Sequence, residues 1–311
     1  MALGSYNERW QRAWRSLRQD RTGLIAGSVI LLYLFIGTLE TVQFPYQDGR
    51  ISVLGWMFRN VATETTYSAP LATTTLSTAD PQPLKGRHLL GTDALGKDTL
   101  LQALRACRTA LILGGLTSAI YIPLGTLLGI LAGYYRRWVD DAIQYVYSVV
   151  ASIPEILLLV AILMLFEKGL GTMSIALGVT GWVGLCRLIR GETMRQSERP
   201  YVMAARALGQ SQWRIITWHL LPNVMHLVLI QFVLGFSGLV LAEATLSYLG
   251  VGSPIGTASW GVMIDSARSD LSREPVVWWN LTAATVALFG FVLSLNLFGD
   301  ALRRAFSPKR E

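Results

Sequence analysis

The run Gly91-Thr92-Asp93-Ala94-Leu95-Gly96-Lys97-Asp98 comes within one residue of the phosphate cradle G-x-x-x-x-G-K-[ST]. In that cradle backbone N–H groups surround the phosphates, the lysine meets their charge and a hydroxyl holds magnesium. Here Asp98 replaces the hydroxyl, where a carboxylate would repel phosphate, and no buried strand precedes the run. Nucleotide binding is not expected from it. Other polar groups lie in apolar runs: Glu155, directly after Pro154 and about four turns from Asp141 if the helix is regular, then His226, Gln231 and, near the end of its run, Glu243. Ionisable groups in such places are costly and often functional. Glu155 either lines a solute pathway, meeting a cationic group there, or hydrogen-bonds a neighbouring helix. Gln231 and His226 read as polar contacts between helices, and Gln231 joins Glu155 and Glu243 as a candidate for the pathway. Asp140 and Asp141 open an apolar run, where carboxylates suit a helix N-terminus. No Ser/His/Asp set, His-Glu-x-x-His or carboxylate pair points to catalysis, and Cys107 and Cys186 lack the spacing of a metal site or disulfide. A non-catalytic chain is expected.

The elements that hold these residues are membrane helices. The 311 residues are 52% apolar and 15% charged, with mean hydropathy +0.41. Runs near the length needed to cross a bilayer fall at 23–39, 109–134, 141–166, 172–188, 224–249 and 276–298. The fourth is interrupted by Gly178, Gly181 and Gly184, which would permit close helix packing. The first is too long for a signal peptide and lacks a small-residue cleavage site, so an uncleaved anchor is expected. Residues 1–22 precede it, with arginine at 9, 12, 15, 18 and 21 and apolar residues between, as in a basic amphipathic helix lying on anionic headgroups. Residues 40–108 form a polar loop rich in Thr, Pro and Ser. Residues 109–300 carry five spans, and 301–311 form a tail.

Six spans put both termini on one side. Lysine and arginine choose it: 17 fall on the side of the termini and 10 on the other, seven of these in the long 40–108 loop. Both termini are expected in the cytoplasm, with the cradle-like run facing away from cytoplasmic ATP. The net charge of +7 follows from this topology and implies no nucleic acid.

Between the fourth and fifth spans, on the cytoplasmic side, lies a bend over 201–223. Ala204, Ala205 and Ala207 give a small-residue face on a short helix that should end at Gly209. A second short helix over 212–220 would place Trp213, Ile216 and Leu220 on one stripe, and Pro222 fits the first turn of the next span.

This stretch resembles the EAA loop of ABC importer permeases, matching at Met203-Ala204-Ala205-Arg206-Ala207, Gly209 and Leu221-Pro222, with Met203 where the family has glutamate. His88-Leu-Leu-Gly91-Thr92-Asp93-Ala-Leu-Gly96-Lys97-Asp98 is similar to the H-x-L-G-T-D-x-x-G-R-D signature of the dipeptide/oligopeptide/nickel branch, with Lys97 for arginine. Ser152-Ile153-Pro154, Glu243 to Gly252, Ser259-Trp260-Gly261 and Asn296 to Arg303 resemble the same branch, in the same order.

The resemblance implies an all-α polytopic protein with six transmembrane helices, the type I importer permease fold and cytoplasmic coupling helices. It implies a "C"-type subunit in a bacterial inner membrane, in contact with lipid and paired with a "B"-type permease. Two ATP-binding subunits, or one fused ATPase, would sit below, and a periplasmic solute-binding protein would deliver cargo. ATP and magnesium would belong to those partners, with no cofactor in this chain. Di- or oligopeptides are the expected cargo, nickel complexes or other small solutes the alternative. Glu243, within a family motif, would be gate or scaffold. The long loop would contact the binding protein or act as a lid. A proton- or ion-coupled secondary transporter predicts inverted repeats and intramembrane charge pairs; apart from the isolated Glu155, the sequence carries neither.

Overall fold

The computed structural model describes residues 11, 13–46, 49–61, 63–76, 81–253 and 256–306. Residues 13–19 are helical, with Ala13 and Leu17 buried. Helix α1 (Arg21–Thr41) follows, started by Asp20, whose carboxylate accepts from the N–H groups of Thr22 and Gly23. The Thr22 hydroxyl and Arg304 also donate to Asp20 and hold its carboxyl well below the usual range. The basic segment is thereby tied to the far end of the chain.

Beyond α1 come a small hairpin, β1 (Gln43–Tyr46) and β2 (Gly49–Ser52), paired antiparallel, and the short helix α2 (Val53–Met57). Helix α3 (Thr99–Tyr135) has 37 residues. It starts ten residues before the expected span because Asp98 caps it, so Arg105 and Arg108 lie on helix and not in the loop. After α4 (Arg137–Ala151) and α5 (Glu155–Leu165) come α6 (Leu170–Ser197) and α7 (Pro200–Ala207). The single turn α8 (Gln212–Ile215) leads through a π-helical turn into α9 (Leu221–Tyr248), then α10 (Trp260–Asp270) and α11 (Trp279–Phe306).

Among the described residues, five helical stretches are long and apolar enough to cross a membrane, and the pair α4–α5 makes a sixth if taken as one span. The fold is that of an all-α polytopic protein. One expectation needs correction: 141–166 is not a regular helix but bends by 81° at Ser152-Ile153-Pro154. Pro154 cannot donate to the ladder and instead precedes the first turn of α5. Glu155 is therefore an exposed residue at the break, not one four turns into a continuous helix.

Helix α3 packs along α6 on a seam of small residues. Gly125, Gly129 and Gly133 recur every four residues on one face of α3. A Cβ at these positions would lie 2.9, 2.8 and 2.7 Å from the carbonyl oxygens of Trp182, Cys186 and Arg190 on α6. Only glycine admits so close an approach. Of the glycines expected to pack on α6, Gly178 meets Ile120, but Gly181 and Gly184 face open space. Among the described residues the core falls into three clusters. One joins α3, α5, α6 and α9 around Leu159, Leu177, Leu185 and Val224; another joins α3, α9, α10 and α11 around Ala106, Val240, Trp260 and Phe291; a small third gathers Tyr67, Val277 and Trp279.

Leucine at Gly129 should force α3 off α6 and cost about 1–3 kcal/mol, read as a lower thermal midpoint of the purified chain in detergent. Leucine at Gly184 should leave that midpoint unchanged.

Candidate functional site

The bend over 201–223 is built by local rules. Pro200 opens α7, where its missing N–H is harmless. Gly209, with φ of 71°, closes it: its N–H donates to the Arg206 carbonyl at 3.0 Å, and the Gln210 N–H reaches back to Ala205 at 3.1 Å. This is a Schellman ending, which needs the left-handed conformation that glycine adopts freely. Val202 and Ala205 of α7 are buried in the α3–α6 core, with Tyr201 half-buried against it. The three alanines accordingly do not all share one face: Ala205 is buried, while Ala204 and Ala207 are exposed beside Met203, Arg206 and Leu208. Met203 and Leu208 are 60% and 80% exposed.

Ser211 caps the next turn by accepting from the Arg214 N–H. The expected separate helix over 212–220 is instead continuous with α9, through a π turn at Ile216–Leu220. Pro222 explains the wider turn. In a regular α-helix it would deprive the Trp218 carbonyl of a donor and crowd it, and a π turn relieves both. The apolar stripe also differs. Ile215, Ile216 and Leu220 are buried, whereas Trp213 and Trp218 point outward, each more than 60% exposed. His219 Nε2 lies 3.1 Å from Gln210 Oε1, and Asn223 Nδ2 donates to the His219 carbonyl at 2.7 Å. The Tyr201 hydroxyl donates to Gln196 at the end of α6, and Arg206 lies 4.9 Å from the Tyr134 ring at the end of α3.

A polar corner braces the same end. Arg136 and Arg137 both have positive φ and turn the chain sharply from α3 into α4. Arg136 Nη2 donates to the Met194 carbonyl, the Ser197 hydroxyl and Glu198. Asp140 is buried and takes both prongs of the Arg190 guanidinium. Its partner is thus a side chain on α6 as well as the helix terminus expected from sequence.

At the opposite end the His88–Asp98 run forms a clasp. His88 is buried, with Nδ1 2.9 Å from Asp98 and Nε2 3.2 Å from Glu64. Glu64 also accepts from the N–H groups of Lys85 and Gly86, and Asp98 from that of Leu101. Asp93 closes the turn by accepting from the N–H groups of Leu95 and Lys97; burial raises its carboxyl despite those bonds. Gly91 is packed against Ser68 and Trp279, and Gly96 against the Glu64 backbone, so neither position has room for a side chain. The Thr92 hydroxyl donates to the Thr66 carbonyl, and Trp279 Nε1 donates to the Thr92 carbonyl. Thr99 donates to Asn280, which with Tyr67 donates to Asp270. Burial and the Asp270 carboxylate push the Tyr67 hydroxyl up to about 12.

Glu243 is buried, and one of its oxygens accepts from the hydroxyls of Ser247, Ser253 and Ser259. It holds the turn after α9 against α10. Gln231 is half-buried, and its backbone carbonyl accepts from the Tyr121 hydroxyl. Glu155 touches neither of them and is exposed on the outside of the α4–α5 break. The three pathway candidates therefore do not converge in this chain. Glu64 was not foreseen: it lies 24 residues from His88, and no spacing rule links them.

Residues 125–311 match a family described as binding-protein-dependent transport system inner membrane component. The chain is 31% identical over 301 residues to the dipeptide transport system permease protein DppC of Bacillus subtilis, covering 96% of this chain and 85% of that one. It is 31% identical over 304 residues to the oligopeptide transport system permease protein OppC of the same organism, covering 96% and 90%. With the glutathione transport system permease protein GsiD of Pectobacterium atrosepticum it shares 29% over 300 residues, covering 96% and 91%.

Replacing His88 with leucine would leave Glu64 and Asp98 buried without a partner between them, a loss of about 3–5 kcal/mol. Limited proteolysis in proteoliposomes should then cut within 63–97 many times faster than in the unaltered protein. Asp98→Asn, which keeps the cap acceptor, should show a smaller increase.

Proposed function

Since the chain belongs to the binding-protein-dependent transport inner membrane components, we propose that its bend over 201–223 is where a separate ATPase grips it. The protein is a permease of the dipeptide/oligopeptide branch, a non-catalytic subunit of an ATP-driven importer. The observation that carries the proposal is the two-sidedness of the bend. Its inner residues, Val202, Ala205, Ile215, Ile216 and Leu220, are fastened into the α3–α6–α9 core, while Met203, Ala204, Ala207, Leu208 and Trp213 stand free on the other side. A contiguous apolar face of this kind on a polar corner suits a protein partner. Because α8 continues into α9, displacement of the outer face would tilt a membrane helix directly.

Partners and placement follow in the same proposal. The bend, both termini and the Arg136 corner lie in the cytoplasm, and the His88 clasp lies outside. A "B"-type permease completes the pathway, two ATP-binding domains engage the bends, and a solute-binding protein delivers di- or oligopeptides. Glu155, exposed at the α4–α5 break, faces that second permease or the pathway between the two. Glu243 and the His88 clasp act as scaffold on the outer side.

Charging the outer face should uncouple the machine without unfolding the chain. Leu208→Asp and Ala204→Asp should lower peptide-stimulated ATP turnover of the reconstituted complex by about tenfold or more, the equivalent of ~1.4 kcal/mol in coupling. Ala205→Asp should instead reduce the amount of folded chain, since that residue is buried. Normal turnover in the first two variants would sink the proposal. Topology has its own check. Cys107 and Cys186 are buried, so a cysteine placed at Ser211 or at Leu89 reports alone. The first should react with an impermeant maleimide only after the inner side is opened, the second in intact cells.

A further inference from the structure

A cleft of about 350 Å³ lies between the helical residues 13–19 and the adjoining parts of α9 and α11. Ala13, Trp14, Leu17, Leu229, Leu302 and Ala305 are among its lining residues, together with Gln11, and the lining is mostly apolar. The volume is in the range of small-ligand sites, but among the described lining residues only Gln11 is a polar residue, so little is offered to orient a polar solute. Leu229 lies eight residues along α9 from Leu221, about 12 Å deeper along the helix axis. The cleft therefore reaches from the helix ends toward the hydrocarbon.

The mouth is net positive. Within residues 13–22 and 300–306 the cations are Arg15, Arg18, Arg21, Arg303 and Arg304, and the carboxylates are Asp20 and Asp300. Asp20 is already consumed by the α1 cap and by Arg304. Arg15, Arg18 and Arg303 are exposed, and the Arg18 guanidinium rests 5.4 Å from the Trp14 ring centroid, at the rim. An apolar slot with a cationic mouth matches the two parts of an anionic lipid.

We propose that this cleft seats an acyl chain of an anionic phospholipid, with the headgroup against Arg15, Arg18 and Arg303. The inference rests on the membrane placement given above, which puts this mouth at the inner leaflet. It assigns the basic segment a bound lipid at a defined site, beyond general attraction to the membrane surface. The lipid would fill the gap beneath residues 13–19 and hold that segment against α9 and α11.

The test is photolabelling of the assembled transporter in vesicles, using phosphatidylglycerol with a diazirine in its acyl chain and, in parallel, the same probe with a phosphatidylcholine headgroup. Label should concentrate on peptides containing Leu229 or Leu302, with the glycerol probe exceeding the choline probe. Ala305→Trp, which fills the cleft, should abolish that labelling. Arg15→Gln with Arg18→Gln should remove the headgroup preference, about fivefold per arginine, while leaving choline-probe labelling in place. Uniform labelling of all lipid-facing helices, equal labelling in the Ala305→Trp variant, or equal yields from both headgroups would each overturn the proposal. Because labelling is read independently of ATP turnover, a failure here leaves the coupling proposal standing, and a failure there leaves this one.

Discussion

Hydrocarbon gives two apolar helices no reason to meet, because lipid tails are as apolar as leucine. What remains is contact close enough for backbone to touch backbone, and in this chain that contact is the glycine seam between α3 and α6. Trp182, Cys186 and Arg190 present their carbonyls to Gly125, Gly129 and Gly133. The seam lies along the longest helix, and the other structures depend on its alignment. The Arg190–Asp140 pair, the Arg136 corner and the inner face of the bend all use side chains whose positions are set where α3 meets α6.

The two ends of the bundle solve the polar problem differently. At the bend end, cations meet carboxylates and carbonyls at the edge of the apolar core, much of it in reach of water. At the clasp end, buried polar groups are satisfied almost wholly by one another: Glu64, His88 and Asp98 in one set, Tyr67, Asp270, Asn280 and Thr99 in another, Glu243 and its serines in a third. Removing one member of such a set strands the rest, which makes these networks rigid rather than adjustable.

Much of this was legible in the residues. Apolar runs of bilayer length located the membrane helices, and Gly209 marked the end of α7, because local conformation and length are properties of a short stretch. The break at Ser152–Pro154 was hidden since composition stays apolar through Leu165, and hydropathy cannot see direction. The early start of α3 was hidden by Arg105 and Arg108, which read as loop although Asp98 is a good cap. The outward Trp213 escaped because spacing defines a stripe without saying which side of the helix is covered. Glu64 and Arg190 are partners across long separations, set by packing alone. The branch motifs around His88 and Glu243 were visible as patterns, while their work as carboxylate-centred clasps required the distances.

The π turn at Ile216–Leu220 carries one residue more than an α-helical turn. Each residue rotates a helix by about 100°, so that one residue fixes the azimuth at which the bend faces relative to everything above it on α9. The compass bearing of the bend is thus stored as an integer, in chain count, held by the hydrogen bond from the Leu221 N–H to the Ile216 carbonyl. Most side-chain substitutions can only soften the joint; re-aiming it takes an insertion, a deletion, or loss of Pro222, which imposes the wider turn.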